Sequence, residues 1–130
     1  MSLREASILI LEEMADELWR IEQYLLDQGH AVLGASSLQA ALEHLNSGAV
    51  IDLFLLDEQL AEPCTALALV EACLPRRPRM RVLGLSSSES RVGADEAPYP
   101  VLLKPIRLDE LERAIEGALC RPAITPWQEC

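Results

Sequence analysis

Short, nearly all-apolar runs alternate with longer amphipathic stretches along this chain, and that alternation leaves few folds open to it. Runs buried on both faces followed by helical spacing are the mark of a βα series, whose strands pair in parallel because each crossover helix returns the chain to the same end. Ile8 to Leu11 reads as the first strand, and Leu18, Ile21 and Leu25 stripe a helix from Ala15 to Gln28 that Gly29 ends. A second strand spans His30 to Ala35. Ser36, with Gln39 three residues on, opens a helix whose inner face is Leu38, Ala41, Leu42 and Leu45. The third strand, Ile51 to Leu56, stops abruptly at Asp57, and a helix from Thr65 to Leu74 is closed by Pro75. Met80 to Leu85 and Val101 to Leu103 complete the strands. Leu108, Leu111, Ile115 and Leu119 restore a clean helix, with Asp109 and Glu110 in its first turn. Between residues 86 and 100, Gly93, Pro98 and Pro100 leave little room for a helix, so a fourth one is expected to be short or missing. The fold expected is α/β, a doubly wound five-stranded parallel sheet of order 2-1-3-4-5 with helices on both faces.

At 130 residues and half apolar, the chain suits one domain with a real core. Its division is read as an N-terminal tail over 1–6, the domain over 7–120 and an extended tail over 121–130. A formal charge of −10 argues against direct nucleic-acid binding, which depends on cations displacing counterions from phosphates. No stretch is long and apolar enough to span a bilayer, and no secretory leader is visible, so a cytoplasmic location without membrane contact is expected. Cys64, Cys73, Cys120 and Cys130 form no CxxC pair and have no histidines at zinc-site spacing; they read as small apolar residues or spare thiols.

Four of the apolar runs end on residues that together suit a phosphoryl group and a hard cation. SILIL stops at Glu12 and Glu13, IDLFLL at Asp57, RVLGL at Ser86, and PVLL at Lys104 before Pro105. In an open parallel sheet, ligands gather at the carboxyl ends of the strands, where these residues would meet. An aspartate there can attack phosphorus if its charge is screened. Carboxylates suit Mg2+, a lysine offsets the phosphoryl oxygens, and a serine hydroxyl donates to one of them.

From Ser7 to Leu119 the chain resembles the CheY-like receiver domain of two-component response regulators. The resemblance rests on Glu12-Glu13 after ILIL, Asp57 in IDLFLLD, Ser86 in VLGLS and Lys104-Pro105 in VLLKPI. It implies Asp57 as phosphoacceptor, Ser86 and Lys104 as its helpers, and Mg2+ held by Glu12, Glu13, Asp57 and the backbone carbonyl of Gln59. It also implies a cis bond before Pro105, a histidine kinase or phosphotransfer protein as donor, and a downstream protein partner. A homodimer fits as well. Self-phosphorylation and self-dephosphorylation are the most chemistry expected, so the chain is not read as an enzyme. With no output domain after the last helix, it reads as a stand-alone receiver.

Two positions depart from the family pattern. Glu13 is one methylene longer than the aspartate common there and would reach an ion only by shifting it, and Val101 stands where a tyrosine or phenylalanine usually does. The segment between Ser86 and Lys104 is also about one helical turn short. These favour a rival reading, a pseudo-receiver that binds partners without phosphorylation. A third, an aspartyl phosphatase, suffers from Gln59 occupying the place of its acid-base aspartate. Arg76, Arg77, Arg79 and Arg81 read as a solvated loop at the opposite strand ends. His30 and His44 have no constellation around them. Trp19 is expected to pack along the first helix, and Trp127 either folds back or makes a contact.

Overall fold

In the computed structural model, which describes residues 5–59, 66–88 and 99–120, every apolar run forms a strand and pairs in parallel with its neighbours. β1 (Ser7–Leu11), β2 (Ala31–Ala35), β3 (Leu53–Asp57), β4 (Arg81–Ser86) and β5 (Val101–Leu103) lie in the order β2-β1-β3-β4-β5. The helices are α1 (Ala15–Asp27), α2 (Leu38–Leu45), α3 (Ala66–Cys73) and α4 (Leu108–Cys120), with a 3-10 turn at Leu74–Arg76 after α3. The expected doubly wound order is the one found.

Alternation within each strand divides the core in two. Leu9, Leu11, Phe54, Leu56 and Val82 face α2 and α3 through Ala41, Leu45, Leu69 and Val70. Ile8, Ile10, Leu53, Leu55, Leu83 and Leu85 face α1 and α4 through Ile21, Leu25, Leu111 and Ile115. Both faces of the central strands are therefore dry, which is why those runs lack polar residues. Gly29, with φ 92°, takes the left-handed conformation that ends α1.

Local boundaries depart from the sequence reading in ways packing explains. Ser37, not Ser36, caps α2: its backbone is extended and its Oγ accepts from the Ala40 amide at 3.1 Å. α3 ends at Cys73, one residue short of the sequence reading, and Pro75 sits in the 3-10 turn that follows, where a proline near the start of a helical turn has no amide to leave unpaired. Trp19 is 63% exposed; it projects away from the α1 stripe of Ile21 and Leu25 instead of packing into it. The arginine run is not merely solvated. Arg77 donates to the carbonyls of Leu45, Ala49, His44 and Ser47 at 2.8–3.4 Å, closing the loop after α2 onto the turn after α3. His30 is buried, and its Nδ1 accepts from the Ala6 amide at 3.1 Å. Cys73 is buried and Cys120 exposed, both as free thiols. Expectations for Cys64, Trp127, Cys130, the 121–130 tail and a fourth helix between 86 and 100 lie wholly or mostly outside the described residues. No helix among the described residues is long and apolar enough to cross a membrane.

Candidate functional site

Register brings the strand ends level. Leu11 pairs with Leu56, Asp57 with Leu85, and Ser86 with Leu103. The ladder then continues one residue past the strands: the amides of Glu12, Glu58 and Lys104 donate to the carbonyls of Ala35, Leu85 and Ser86 at 3.1, 2.8 and 2.7 Å. These bonds hold the functional residues on backbone that is already tied down, so their side chains start from fixed positions.

Three charges meet at that edge. Lys104 Nζ lies 3.1 Å from Glu12 Oε1 and 3.3 Å from Asp57 Oδ1. Glu12 is fully buried and Asp57 nearly so. Burial pushes the Glu12 carboxyl up; the Met14 amide and the Lys104 ammonium pull it back without cancelling that effect, and the Asp57 charge adds to it. Burial also works against the charge on Lys104, but the hydrogen bond to Glu12 and the two carboxylates outweigh it, leaving the ammonium above its ordinary value. One cation thus serves two buried anions.

Ser86 and Gln59 complete the edge. The Gln59 amide donates to Asp57 Oδ1 at 3.0 Å, and its side-chain Nε2 donates to Ser86 Oγ at 3.3 Å. Gln59 Oε1 accepts from both the amide and the hydroxyl of Ser87 at 3.0 Å. Ser86, rather than the exposed Ser87, is the hydroxyl buried beside the acidic cluster, and the Ser88 amide donates to its Oγ at 3.0 Å. Glu13 follows Glu12 half-buried. The bond between Lys104 and Pro105 is cis, turning the chain away from β5 just after the lysine. A cleft of about 440 Å³ lined by Met14, Asp16, Glu17, Ser87, Lys104 and Pro105 opens beside the ammonium.

The structure therefore brings Glu12, Asp57, Ser86 and Lys104 together. No family sequence model and no curated protein sequence matches the chain, so the comparison rests on solved structures. A response regulator receiver protein from Sinorhizobium medicae superposes with a TM-score of 0.78 at 28% identity, over 91% of this chain and 97% of that one. The chain is a response-regulator receiver domain. The PhyR stress response regulator matches with a TM-score of 0.75 at 27% identity over 91% of this receiver, which spans 46% of that protein. A receiver domain protein from Clostridium thermocellum, at 24% identity and a TM-score of 0.77 over 88% of this chain and 94% of its own, shares the fold. Receivers act in signal transduction as phosphoacceptors rather than turnover enzymes.

Among the described residues, no group of three His, Cys, Asp or Glu side chains stands ready as a metal centre. The receiver nonetheless holds two carboxylates, from Glu12 and Asp57, close enough to share one positive charge. Mg2+ asks for only one or two carboxylates, filling its remaining positions with water and phosphate oxygens. The donor chemistry fits a hard divalent ion.

Several contacts around the site and between its supporting elements had no signal in the sequence. Arg20 donates to the carbonyl of Ile106 at 2.8 Å while paired with Glu17, tying α1 to the turn after Lys104-Pro105. The Tyr24 hydroxyl donates to Glu112 at 2.8 Å, joining α1 to α4. Val101 is buried opposite Gly84, and an aromatic ring, that of Tyr99, enters the same core cluster from two positions earlier in the chain.

Proposed function

We propose that Asp57 accepts a phosphoryl group from the phosphohistidine of a kinase or phosphotransfer protein, in the cytoplasm, and that a downstream protein reads the result. The observation that carries this is the Lys104 ammonium held 3.3 Å from Asp57 Oδ1 at the carboxyl end of the sheet. An oxygen of Asp57 attacks phosphorus, the bond from phosphorus to the donor nitrogen breaks, and the imidazole leaves with its electron pair to be protonated. The acyl phosphate carries close to two negative charges, which Lys104 can pair and the Ser86 hydroxyl can hydrogen-bond. Glu12, Glu13, Asp57 and the Gln59 carbonyl would hold Mg2+, which when bound screens the charge of nucleophile and phosphoryl oxygens.

The second reading is a module that binds partners without phosphorylation, favoured by Glu13 in the acidic pair and by Val101 in β5. Intact-protein mass after incubation with Mg2+ and acetyl phosphate separates the two, with Asp57→Asn alongside. One phosphoryl adduct on the native chain and none on the variant is expected. No adduct from acetyl phosphate, or from a panel of phosphorylated phosphotransfer proteins active on another receiver, would leave the binding module as the function.

A further inference from the structure

Tyr99 is buried, 3% exposed, immediately ahead of Pro100 and β5. Its hydroxyl donates to Glu58, the residue that directly follows Asp57. Gly84 makes the approach feasible: a Cβ there would lie 2.8 Å from Tyr99 Cε1 and 3.1 Å from Glu58 Oε2, so only bare β4 backbone leaves room for both side chains. The same glycine donates its amide to the Pro100 carbonyl at 2.8 Å. A carboxylate accepting from a buried phenol beside Phe54, Leu56, Val82 and Val101 makes a charge-assisted bond, shielded from water on the ring side.

Each end of this bond is tied by a short covalent path to a different part of the phosphorylation site. Glu58 continues from Asp57, and Tyr99 leads through β5 to Lys104. Phosphorylation would act on both ends together. It replaces the single charge of the Asp57 carboxylate with close to two on the phosphoryl group, about one more beside the Glu58 carboxylate, and it draws Lys104 toward the phosphoryl oxygens, pulling on β5. We propose that Tyr99 is a positioning residue for the Asp57 site: through Glu58 it holds the end of β3 in the unphosphorylated arrangement, and phosphorylation weakens that contact and moves the segment leading into β5. This rests on Asp57 as the phosphoacceptor. By reciprocity, if phosphorylation weakens the contact, removing the contact favours phosphorylation by the same factor.

The chain has two tyrosines, so 3-fluorotyrosine labelling of the full protein gives two fluorine resonances, assigned with Tyr24→Phe. Spectra are recorded with Mg2+ before and after acetyl phosphate, while intact mass follows the adduct. A Tyr99 resonance that moves by more than its linewidth as the adduct forms, with Tyr24 moving far less, is expected. An adduct with Tyr99 unmoved, or with both resonances moving alike, overturns the proposal and leaves the phosphoacceptor reading in place. No adduct from this donor or from phosphorylated phosphotransfer proteins overturns that reading, and the proposal falls with it. As a second measurement, Tyr99→Phe keeps the ring over Gly84 and loses only the hydroxyl. Its phosphorylated fraction at limiting donor should rise at least about fivefold, on the usual scale of coupling between sites. An unchanged or lower fraction in a variant with native circular dichroism counts against the coupling.

Discussion

Replacing Lys104 with methionine removes a cation that the structure sets between two buried carboxylates. Its ammonium lies 3.1 Å from Glu12 and 3.3 Å from Asp57. At an effective dielectric constant of about 20, each contact has a gross Coulomb energy of roughly 5 kcal/mol, much of it cancelled by the cost of desolvating the ammonium. Removing one partner of a buried pair costs about 3–5 kcal/mol, because the remaining charge stays buried and uncompensated. The Lys104 side chain is 20% exposed, so water already screens part of the interaction. We therefore take the lower end, about 3 kcal/mol, which corresponds to roughly 10 °C in Tm for a chain of this size. The assay is urea unfolding of Lys104→Met against the native chain at pH 7 and again near pH 5. Glu12 already has a raised carboxyl pKa, and loss of Lys104 raises it further. A carboxyl with a raised folded pKa binds more protons folded than unfolded, so stability is regained as pH falls through the folded pKa toward the unfolded one. The deficit should thus shrink on acidification, and Glu12→Gln should recover part of it at pH 7. A loss below about 1 kcal/mol at pH 7, or one independent of pH, would refute the view that these buried charges need their cation.

Four further outcomes follow from contacts elsewhere in the fold. Gly84→Ala forces a Cβ against the Tyr99 ring and Glu58 and should cost about 1–3 kcal/mol in urea unfolding, whereas Gly48→Ala, with open space at its Cβ, should leave stability nearly unchanged. Burial holds His30 below its ordinary pKa, and its Nδ1 accepts from the Ala6 amide, so its proton-linked stability is complete above about pH 6.5 and is lost as pH falls toward the lowered folded value; His30→Leu should be weaker at pH 7 and lose less on acidification. Arg77→Met gives up the donors to four carbonyls and should cost about 2 kcal/mol, read as a lower urea midpoint with the phosphorylation site intact. Burial and the Glu112 carboxylate push the Tyr24 phenol up to about 12, so alkaline titration at 295 nm should lose an ionisation near pH 12 when Tyr24 is replaced by phenylalanine.

The architecture was legible because it is written in local pattern. SILIL, LFLLD and RVLGLS carry no polar residue before their last positions beyond the first residue of two of them, and only a strand covered on both faces leaves so little to water. The helical stripe of Ile21 and Leu25, and that of Leu111 and Ile115, gave the two layers that cover one face. Glu12, Asp57, Ser86 and Lys104 were legible for a related reason. Each is the first polar residue after such a run, so the rule that parallel strands end on one edge places them near one another before any coordinates exist.

What the chain determined by itself is thus periodicity and chain order: which runs are strands, which stripes are helices, and which residues stand at the strand ends. Tertiary structure alone decided which of those end residues touch and what else joins them. Lys104 bridges Glu12 and Asp57 because β1, β3 and β5 come level, and Gln59 crosses to Ser86 because Asp57 pairs with Leu85. Arg77 reached carbonyls about thirty residues back in the chain, and Tyr99 found Glu58 over Gly84, because packing brought those backbones together. The physical reason is range. Hydrophobic period is a property of neighbours a few residues apart, whereas hydrogen bonds and ion pairs act over about 3 Å between groups whose separation along the chain carries no trace of the contact.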